Sequence, residues 1–222
     1  MAYLRIRPCQ QIGTNYGNPI TPTYLWRIGV AQARFELNDM HWMYFLSLED
    51  DLKTMSRYIE LTDLNMAVFS IECTRLLLAT CSEVDVVLKL IAGQIGQETR
   101  NLGQCRIALV EHFPHLVSSV ASIPRHAILR RPWAAWSEGG QPSWWEDYNS
   151  VKHRRAEHFA KATLANVIDA LAGLFLVLLV YLRKKGIDII MPAPMLFRPD
   201  ATMGSYCISP EGHLIDLRTE NA

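Results

Sequence analysis

The sequence lacks the residue patterns that mark most metal, redox and nucleotide sites. Its five cysteines are odd in number and widely spaced, and none forms the CxxC pair of zinc and thiol-redox motifs. There is also no phosphate-binding glycine loop, no GxSxG nucleophile elbow and no HExxH motif. We therefore expect no metal ion and no nucleotide cofactor, and free thiols in a reducing compartment.

The sequence predicts neither a secretory signal nor a membrane span. Residues 1–8 contain no apolar run followed by small residues, which predicts a cytoplasmic protein. The longest apolar run, Ala170 to Leu182, has thirteen residues, whereas a bilayer takes about 20. Extending it back to Thr163 would bring Asn166 and Asp169 into lipid, which is costly. The run instead predicts a central helix enclosed by neighbouring helices, with no membrane partner.

The residues that are present are those of an ordered globular chain, with 50% hydrophobic and 20% charged residues among 222. Because repeats and linkers are missing, we predict a single domain. The formal net charge is zero, but residues 34–100 hold eleven acids and six Lys or Arg, whereas residues 125–161 hold seven Lys or Arg, four acids and three histidines. The second stretch is the candidate for an anionic partner. The alternative is that it pairs with the acidic stretch, within one chain or across a dimer.

Hydrophobic spacing predicts three helices in the first half of the chain. After an irregular arm of residues 1–40, apolar residues recur every three or four positions over residues 42–61, where Ser47 precedes three acids near the helix start. The same period continues over residues 66–100, and a shorter helix follows over residues 106–115. The predicted buried faces are Phe45, Leu48, Leu52, Met55 and Ile59 in the first helix and Phe69, Cys73, Leu76, Thr80, Val84, Val87, Ile91 and Ile95 in the second.

A fourth helix, the longest, is predicted to begin at Ser143 after a loop that reaches Pro142. Ser143 is placed as an N-cap with Glu146 three residues later, which is the pattern of a capping box. No helix breaker stronger than Gly173 follows until Gly186. The sequence therefore predicts one uninterrupted helix over this whole stretch.

The tail, residues 187–222, has a different pattern. Pro192, Pro194 and Pro199 exclude helix, and Ser205–Ser209 and His213–Leu217 flank the turn sequence Ser-Pro-Glu-Gly. We expect a small hairpin there. The predicted fold class is thus mainly α, a helical bundle over residues 42–184 with an irregular N-terminal arm and a small C-terminal β-hairpin.

The start of the fourth helix carries the polar residues with the most chemistry. At about 100 degrees per residue, Asn149, Lys152 and His153 share a face that is predicted to continue into the core. Asn149 and His153 are then expected either to hydrogen-bond to another helix or to line a cleft. Arg154 and His158 lie four residues apart on a different side, which Asp169 is expected to approach.

Tryptophan and arginine are concentrated just before and within this helix start. Trp133, Trp136, Trp144 and Trp145 lie in the sequence near Arg130 and Arg131 and near the cations at 152–155. Such a mixture can stack nucleic-acid bases and hold phosphates, which makes Arg130, Arg131 and Trp145 candidate RNA-binding residues. The alternative is that the tryptophans fix the preceding loop onto the bundle.

An arginine beside a histidine suits metal-independent RNA cleavage. Imidazole can move the proton of the 2′-hydroxyl or of the leaving group near neutral pH, and guanidinium can hold the phosphate and its developing charge. The alternative is a surface His and Arg on a charged helix turn.

With these residues in view, the chain resembles the HEPN superfamily of helical-bundle proteins from prokaryotic toxin-antitoxin, abortive-infection and other defence loci. The resemblance rests above all on Tyr148 to Arg155, a YNxxKHxR string, and on the helices over residues 42–184. It implies an antiparallel bundle that forms a homodimer and cleaves RNA without metal at a cleft shared by two Arg and His pairs. Family members separate this Arg from the His by four to six residues, whereas three separate Arg154 from His158 and five separate Lys152 from His158.

Two hypotheses of function follow. In the first, His153 or His158 is the general acid and base of an endoribonuclease, Arg154 or Arg155 stabilises the phosphate, and Lys152 and Asn149 position it. In the second, the Asn149, Lys152 and His153 cluster ties helices together in a non-catalytic interaction or regulatory module. The resemblance implies a cognate antitoxin or another defence-complex protein as a partner in either case.

Overall fold

The computed structural model describes residues 35–36, 39–209 and 212–217, and the chain is mainly helical over them. Most of the predicted N-terminal arm, and the central residues of the predicted tail turn, lie outside the described residues. The helices of the described part are α1 (Met40–Met55), α2 (Ile71–Gln94), α3 (Leu102–His112), α4 (Ser143–His153), α5 (Arg155–His158) and α6 (Leu164–Lys184).

Helix α6 forms the centre of the core. Every side chain from Ala170 to Leu182 is buried, and the helix packs most extensively on α2 and also on α4 and α1. This confirms the predicted central helix. Within the described ranges, α6 is the one helix whose length and apolar composition would suffice to cross a membrane, but 89% of its most apolar window is buried by the rest of the protein.

The helix ends are set by side-chain caps that differ in part from the predicted ones. Asp39, not Ser47, caps α1, where its carboxylate accepts from the backbone N–H of Trp42 at 3.0 Å. Ser70 caps α2 in the same way, with Cys73 N–H as donor at 3.0 Å. Both helices are shorter than predicted, since α1 ends at Met55 and α2 at Gln94.

The predicted long fourth helix is wrong, because the chain forms α4, α5 and α6 instead. Arg154 has φ −140° and ψ 58°, which lies outside the helical region and ends α4. Thr163 then caps α6 by accepting from Asn166 N–H at 3.3 Å. The backbone N–H of Leu164 donates to the carbonyl of Val68 at 2.8 Å, so pairing with the α1–α2 connection replaces helical hydrogen bonds.

The predicted capping box at Ser143 is also absent from α4. The N-cap is Pro142, no side chain caps the helix, and the N–H of Glu146 donates to the carbonyl of Pro142 at 3.2 Å. The C-terminal end of α6 agrees better with the sequence. Gly186 has φ 77°, a conformation that glycine adopts freely, and the N–H of Ile187 donates to the carbonyl of Leu182 at 3.0 Å, as in a Schellman motif.

Two small sheets complete the fold. One has the strand order β1 (Phe35–Glu36), β4 (Ile189–Ile190), β7 (Gly212–Asp216) and β6 (Ser205–Ser209), with β1 and β4 parallel and the other pairs antiparallel. The β6–β7 pair confirms the predicted hairpin. The other sheet, β3 (Ile128–Arg130), β2 (Ala121–Ile123) and β5 (Arg198–Pro199), uses part of the stretch that was predicted to be loop.

The tail belongs to the core and is more than an appendage. Phe197 is fully buried and lies 6.1 Å from the ring of Phe45 and 5.9 Å from that of Phe175. The buried carboxylate of Glu49 accepts three backbone N–H groups, those of residues 195–197, at 2.8 to 2.9 Å. The tail is therefore attached to α1 by a buried polar contact as well as by aromatic packing.

Candidate functional site

Helix α4 buries a different face from the one that the sequence predicted. Its buried side chains are Trp144, Trp145, Tyr148 and Val151, whereas the face shared by Asn149, Lys152 and His153 points away from the core. Lys152 and His153 are exposed and Asn149 is half-buried. The prediction failed because it extended the apolar stripe of α6 backwards through a helix that is in fact interrupted.

These three side chains do not tie helices together. Over the described residues, the side chains of Asn149 and His153 make no hydrogen bond, and the ammonium of Lys152 lies 5.4 Å from the ring centre of Tyr148 on its own helix. The cluster proposed for a non-catalytic module is therefore not formed among the described residues.

The tryptophans fix the long loop onto the bundle, as the alternative hypothesis predicted. Trp133 donates its indole N–H to the carbonyl of Gly173 at 3.2 Å, and Trp144 donates to that of Pro132 at 3.0 Å. The ring of Trp145 packs 5.8 Å from Trp144 and 5.1 Å from Tyr148 and is 7% exposed. Trp145 therefore has no free face for a nucleic-acid base, which corrects its assignment as an RNA-binding residue.

The interruption between α4 and α6 creates an exposed cationic segment, residues 152–161, which we call the basic turn. Lys152, His153, Arg154 and Arg155 are consecutive and all exposed. The basic turn contains four Lys or Arg and two His against one acid, Glu157. Its local charge is thus clearly positive although the whole chain is neutral.

Arg154 and His158 come together around Glu157. The guanidinium of Arg154 lies 3.6 Å from a carboxylate oxygen of Glu157, and Nε2 of His158 lies 4.0 Å from the same oxygen. That nitrogen is buried and has no hydrogen-bond partner among the described residues. The predicted neighbour Asp169 is not part of this group, because it pairs with Arg130 at 3.1 Å.

A polar network holds the ends of the basic turn. Lys161 forms an ion pair with Asp147 at 2.9 Å. The amide of Asn166 donates to the carboxylate of Asp147 at 2.9 Å and to the carbonyl of Lys161 at 2.8 Å. Because Asn166 lies on α6 and Asp147 on α4, this network fixes the two helices that flank the turn.

Three of the predicted cationic residues line two separate surface cavities in the described part of the chain, and no residue lines both cavities. Arg155 faces a cavity of about 360 Å³ beside α2, lined also by Ile71, Thr74, Arg75, Leu78 and Phe159. Arg130 and Arg131 face another of about 490 Å³, lined also by Val120, Leu129 and Asp169. Arg130 and Arg131, which the sequence analysis assigned to RNA binding, therefore line a different cavity from Arg155, which it assigned to stabilising the phosphate during catalysis.

Asp169 is the residue of this region whose protonation is most altered. Burial raises its pKa from 3.8 to about 6, and the neighbouring Arg130 only partly opposes this effect. The sequence analysis missed its pairing with Arg130 and also missed Glu157 as the partner of Arg154. The available signal for Asp169 was a single carboxylate within an apolar helix, which must have a partner or a cavity.

The cysteines and the acids of the described residues form no further reactive centre. No three His, Cys, Asp or Glu side chains gather there in a way that could hold a metal ion. Cys81 is buried, and desolvation raises the pKa of its thiol well above the usual value. The free cysteines at 73, 81 and 105 serve as core residues.

Comparison with known proteins adds no relative. No family model, no curated protein and no solved structure matches the chain. The candidate site therefore rests on its own residues and geometry.

Proposed function

We propose that this chain binds RNA through the basic turn and cleaves it by metal-independent acid–base chemistry, as a HEPN-like protein. The observation that carries the proposal is the exposure of four consecutive side chains, Lys152 to Arg155, beside the imidazole of His158. The YNxxKHxR string that resembles the HEPN superfamily ends in this turn, at Arg155.

Charge supports a polyanionic ligand. Among the Lys and Arg side chains of the basic turn, Lys152, Arg154 and Arg155 are exposed, and Lys152 and Arg155 have no acidic partner among the described residues. Arg154 is paired only loosely with Glu157, at 3.6 Å and with both side chains 64% exposed. Because an exposed ion pair contributes only about 0 to 1 kcal/mol, a phosphate can replace this carboxylate at little cost.

The histidines supply the proposed chemistry. One imidazole accepts the proton of the ribose 2′-hydroxyl as its oxygen attacks phosphorus, and another gives a proton to the 5′-oxygen as the phosphorus–oxygen bond breaks. The products are a 2′,3′-cyclic phosphate and a 5′-hydroxyl. His153 and His158 are the candidates for the two roles, and Arg154 or Arg155 holds the charge that develops on the phosphate oxygens.

A second copy of the chain completes the proposed site. In a HEPN-like homodimer the basic turns of two protomers face one cleft, so that each strand of RNA meets two sets of His and Arg. A cognate antitoxin or another protein of a defence complex would then act by covering this cleft.

Incubation with RNA in the presence of a chelator tests the proposal. Wild type, the double variants His153→Ala/His158→Ala and Arg154→Ala/Arg155→Ala, and the control Arg57→Ala, which changes an exposed arginine outside the turn, are compared for cleavage and for binding of a labelled RNA. We expect the histidine variant to bind but not cleave, and the arginine variant to lose about tenfold or more in affinity. If the RNA stays intact with wild-type protein, the protein is not a nuclease under these conditions. If all four proteins bind RNA equally, the basic turn is not the RNA-binding site.

A second function, as an interaction module, is favoured by a different observation. Four large apolar side chains of the α1–α2 connection and the start of α2 are strongly exposed: Tyr58 at 84%, Leu64 at 94%, Phe69 at 47% and Ile71 at 80%. Exposed apolar groups so close in sequence are typical of protein-binding surfaces. If wild-type protein neither binds nor cleaves RNA, while Leu64→Ser and Ile71→Ser change its oligomeric state in light scattering, this function replaces the first.

A further inference from the structure

The cavity lined by Arg130 and Arg131 is separate from the basic turn and has its own chemistry. Arg130 ends β3, Arg131 follows it, and Asp169 projects from the second turn of α6. Together with Val120 and Leu129 these residues line a space of about 490 Å³. We propose that this cavity binds a small organic phosphate monoester, with Arg131 and Arg130 holding the phosphate and Leu129 contacting the organic part.

Arg130 is fixed in position but keeps capacity for a ligand. Its buried Nε forms an ion pair with a carboxylate oxygen of Asp169 at 3.1 Å but lacks hydrogen-bond geometry, and one terminal nitrogen donates to the sulfur of Met66 at 3.2 Å. A thioether sulfur is a weak acceptor, so a phosphate oxygen would be a better partner for that nitrogen. The Nε edge of the guanidinium is thus paired with Asp169, and the terminal nitrogen near Met66 can donate to a phosphate oxygen.

Arg131 supplies the charge that is not neutralised. It is exposed and has no ion pair or hydrogen bond from its side chain among the described residues. With one carboxylate against two guanidinium groups, the cavity lining is positive. Burial raises the pKa of Asp169 to about 6, so this carboxylate is also easier to neutralise than an ordinary one. The planar arginine fork matches two phosphate oxygens at once.

The apolar lining and the size indicate that the phosphate carries an organic group. The side chain of Leu129 is 68% exposed, in a strand whose neighbour Ile128 is buried. The space is open to solvent, and its volume of about 490 Å³ falls within the range of roughly 300 to 1,000 Å³ that is usual for small-molecule sites. A phosphate ion alone would leave most of this space and the Leu129 surface without contact.

Isothermal titration with adenosine monophosphate as the probe tests the proposal. Adenosine and inorganic phosphate serve as the partial ligands, and the proteins are wild type, Arg131→Ala, Arg131→Lys and the control Arg57→Ala. We expect the probe to bind wild type and Arg57→Ala equally. Arg131→Ala should lose about tenfold or more in affinity, because it removes a charged hydrogen-bond donor. Arg131→Lys should lose less, because lysine keeps the charge but not the planar fork. Adenosine and inorganic phosphate should each bind more weakly than the intact monoester.

A second arm distinguishes the source of the phosphate. A trinucleotide RNA with a 5′-phosphate is compared with its 5′-hydroxyl form, in wild type and Arg131→Ala. Preference for the mononucleotide assigns the cavity to a free metabolite, and preference for the 5′-phosphorylated strand assigns it to an RNA end. No heat of binding with wild type, or equal affinity for wild type and Arg131→Ala, would overturn the proposal, and neither result bears on the basic turn.

Discussion

At the scale of single residues, the buried carboxylate of Glu49 and the half-buried one of Asp169 show how the environment decides the role of an acid. Glu49 accepts three backbone N–H groups, yet burial outweighs them and raises its pKa. Asp169 has one arginine partner, and burial raises its pKa from 3.8 to about 6. In the sequence the first resembled an acid near a helix start and the second an interruption of an apolar run. Glu49 contacts residues 195–197 and Asp169 contacts Arg130, and each contact joins residues more than 25 positions apart. The sequence therefore did not show that either carboxylate would be paired in this way.

We predict that Asp169→Asn changes the pH dependence of stability. Because the folded pKa lies above the unfolded one, the folded state binds more protons between about pH 4 and 6, and wild-type stability falls as the pH rises through this window. The asparagine side chain does not titrate, so the variant does not lose stability in this way as the pH rises. The free energy of unfolding of the variant minus that of wild type should therefore increase by up to about 3 kcal/mol from pH 4 to pH 7. Urea unfolding at both pH values measures the difference. A difference that does not vary with pH would contradict the altered protonation of Asp169.

At the scale of elements, the central helix α6 depends on a residue that is a poor helix former. Gly173 lies where α6 meets two tryptophans, and a Cβ added there would be 3.1 Å from a ring carbon of Trp144 and 3.3 Å from one of Trp133. Both indoles are buried and fixed by hydrogen bonds to backbone carbonyls. The glycine is therefore required by close packing between α6 and the loop that leads to α4, and not by a turn.

We predict that Gly173→Ala destabilises the protein in spite of its better helix propensity. Alanine gains up to about 1 kcal/mol in a helix interior, but overpacking against immobile rings costs about 1 to 3 kcal/mol. The matched control is Gly93→Ala in α2, where an added Cβ meets nothing within 4 Å, so that variant should be neutral or more stable. Thermal unfolding of both variants tests this, and a stabilised Gly173→Ala would show that the tryptophans can move.

The interruption between α4 and α6 is the element-scale feature that matters most for function. Local sequence signals favour continuing the helix, because no proline or glycine lies between Ser143 and Gly173. The pairing of Leu164 and Ala165 with the α1–α2 connection, at 2.8 and 3.0 Å, overrides them. The break turns a predicted core face outward and exposes the cations of the basic turn.

At the scale of the whole molecule, the tail and the bundle form one packed unit. A single cluster of buried side chains includes residues of α1, α2, α6 and the tail, among them Phe197, Met203 and Ile215. The second sheet joins β5 of the tail to β2 of the loop. The shared core and the pairing of β2 with β5 therefore join parts of the chain that are far apart in sequence. The elements that carry the two proposed sites, the basic turn and the cavity at Arg130 and Arg131, pack on this core.

We predict that Glu49→Ala weakens the attachment of the tail. The change leaves the backbone N–H groups of residues 195–197, two of them buried and that of Met195 part-buried, without their acceptor, which should cost about 3 kcal/mol. Glu72→Ala, which removes an exposed ion pair with Arg75, should cost less than about 1 kcal/mol. Urea unfolding gives both values, and amide exchange should become faster at residues 195–197 in the first variant only. Similar stabilities for the two variants would contradict the anchoring role of Glu49.

Periodicity predicted much of the helical core correctly. Phe45, Leu48, Leu52 and Met55 are buried in α1, and Cys73 to Ile91 form the buried face of α2 at the predicted spacing. The exceptions are Phe69, which precedes α2 and is 47% exposed, and Ile59 and Ile95, which lie beyond the ends of α1 and α2 and are half-buried. The hairpin of β6 and β7 was also predicted. Each of these features depends on residues that are near neighbours in sequence, and so their pattern is present before the chain folds.

The sequence by itself determined which segments are apolar enough to form helices, where the tail reverses direction, and which stretch concentrates positive charge. Tertiary structure alone decided where the longest predicted helix breaks, which face of α4 is buried, and which carboxylate meets Arg130. These outcomes depend on hydrogen bonds and packing between segments that are far apart along the chain. Hydrogen bonds and packing between these segments stabilise the fold by more than local helix propensity does. Helix propensity contributes less than about 1 kcal/mol per residue for ordinary residues.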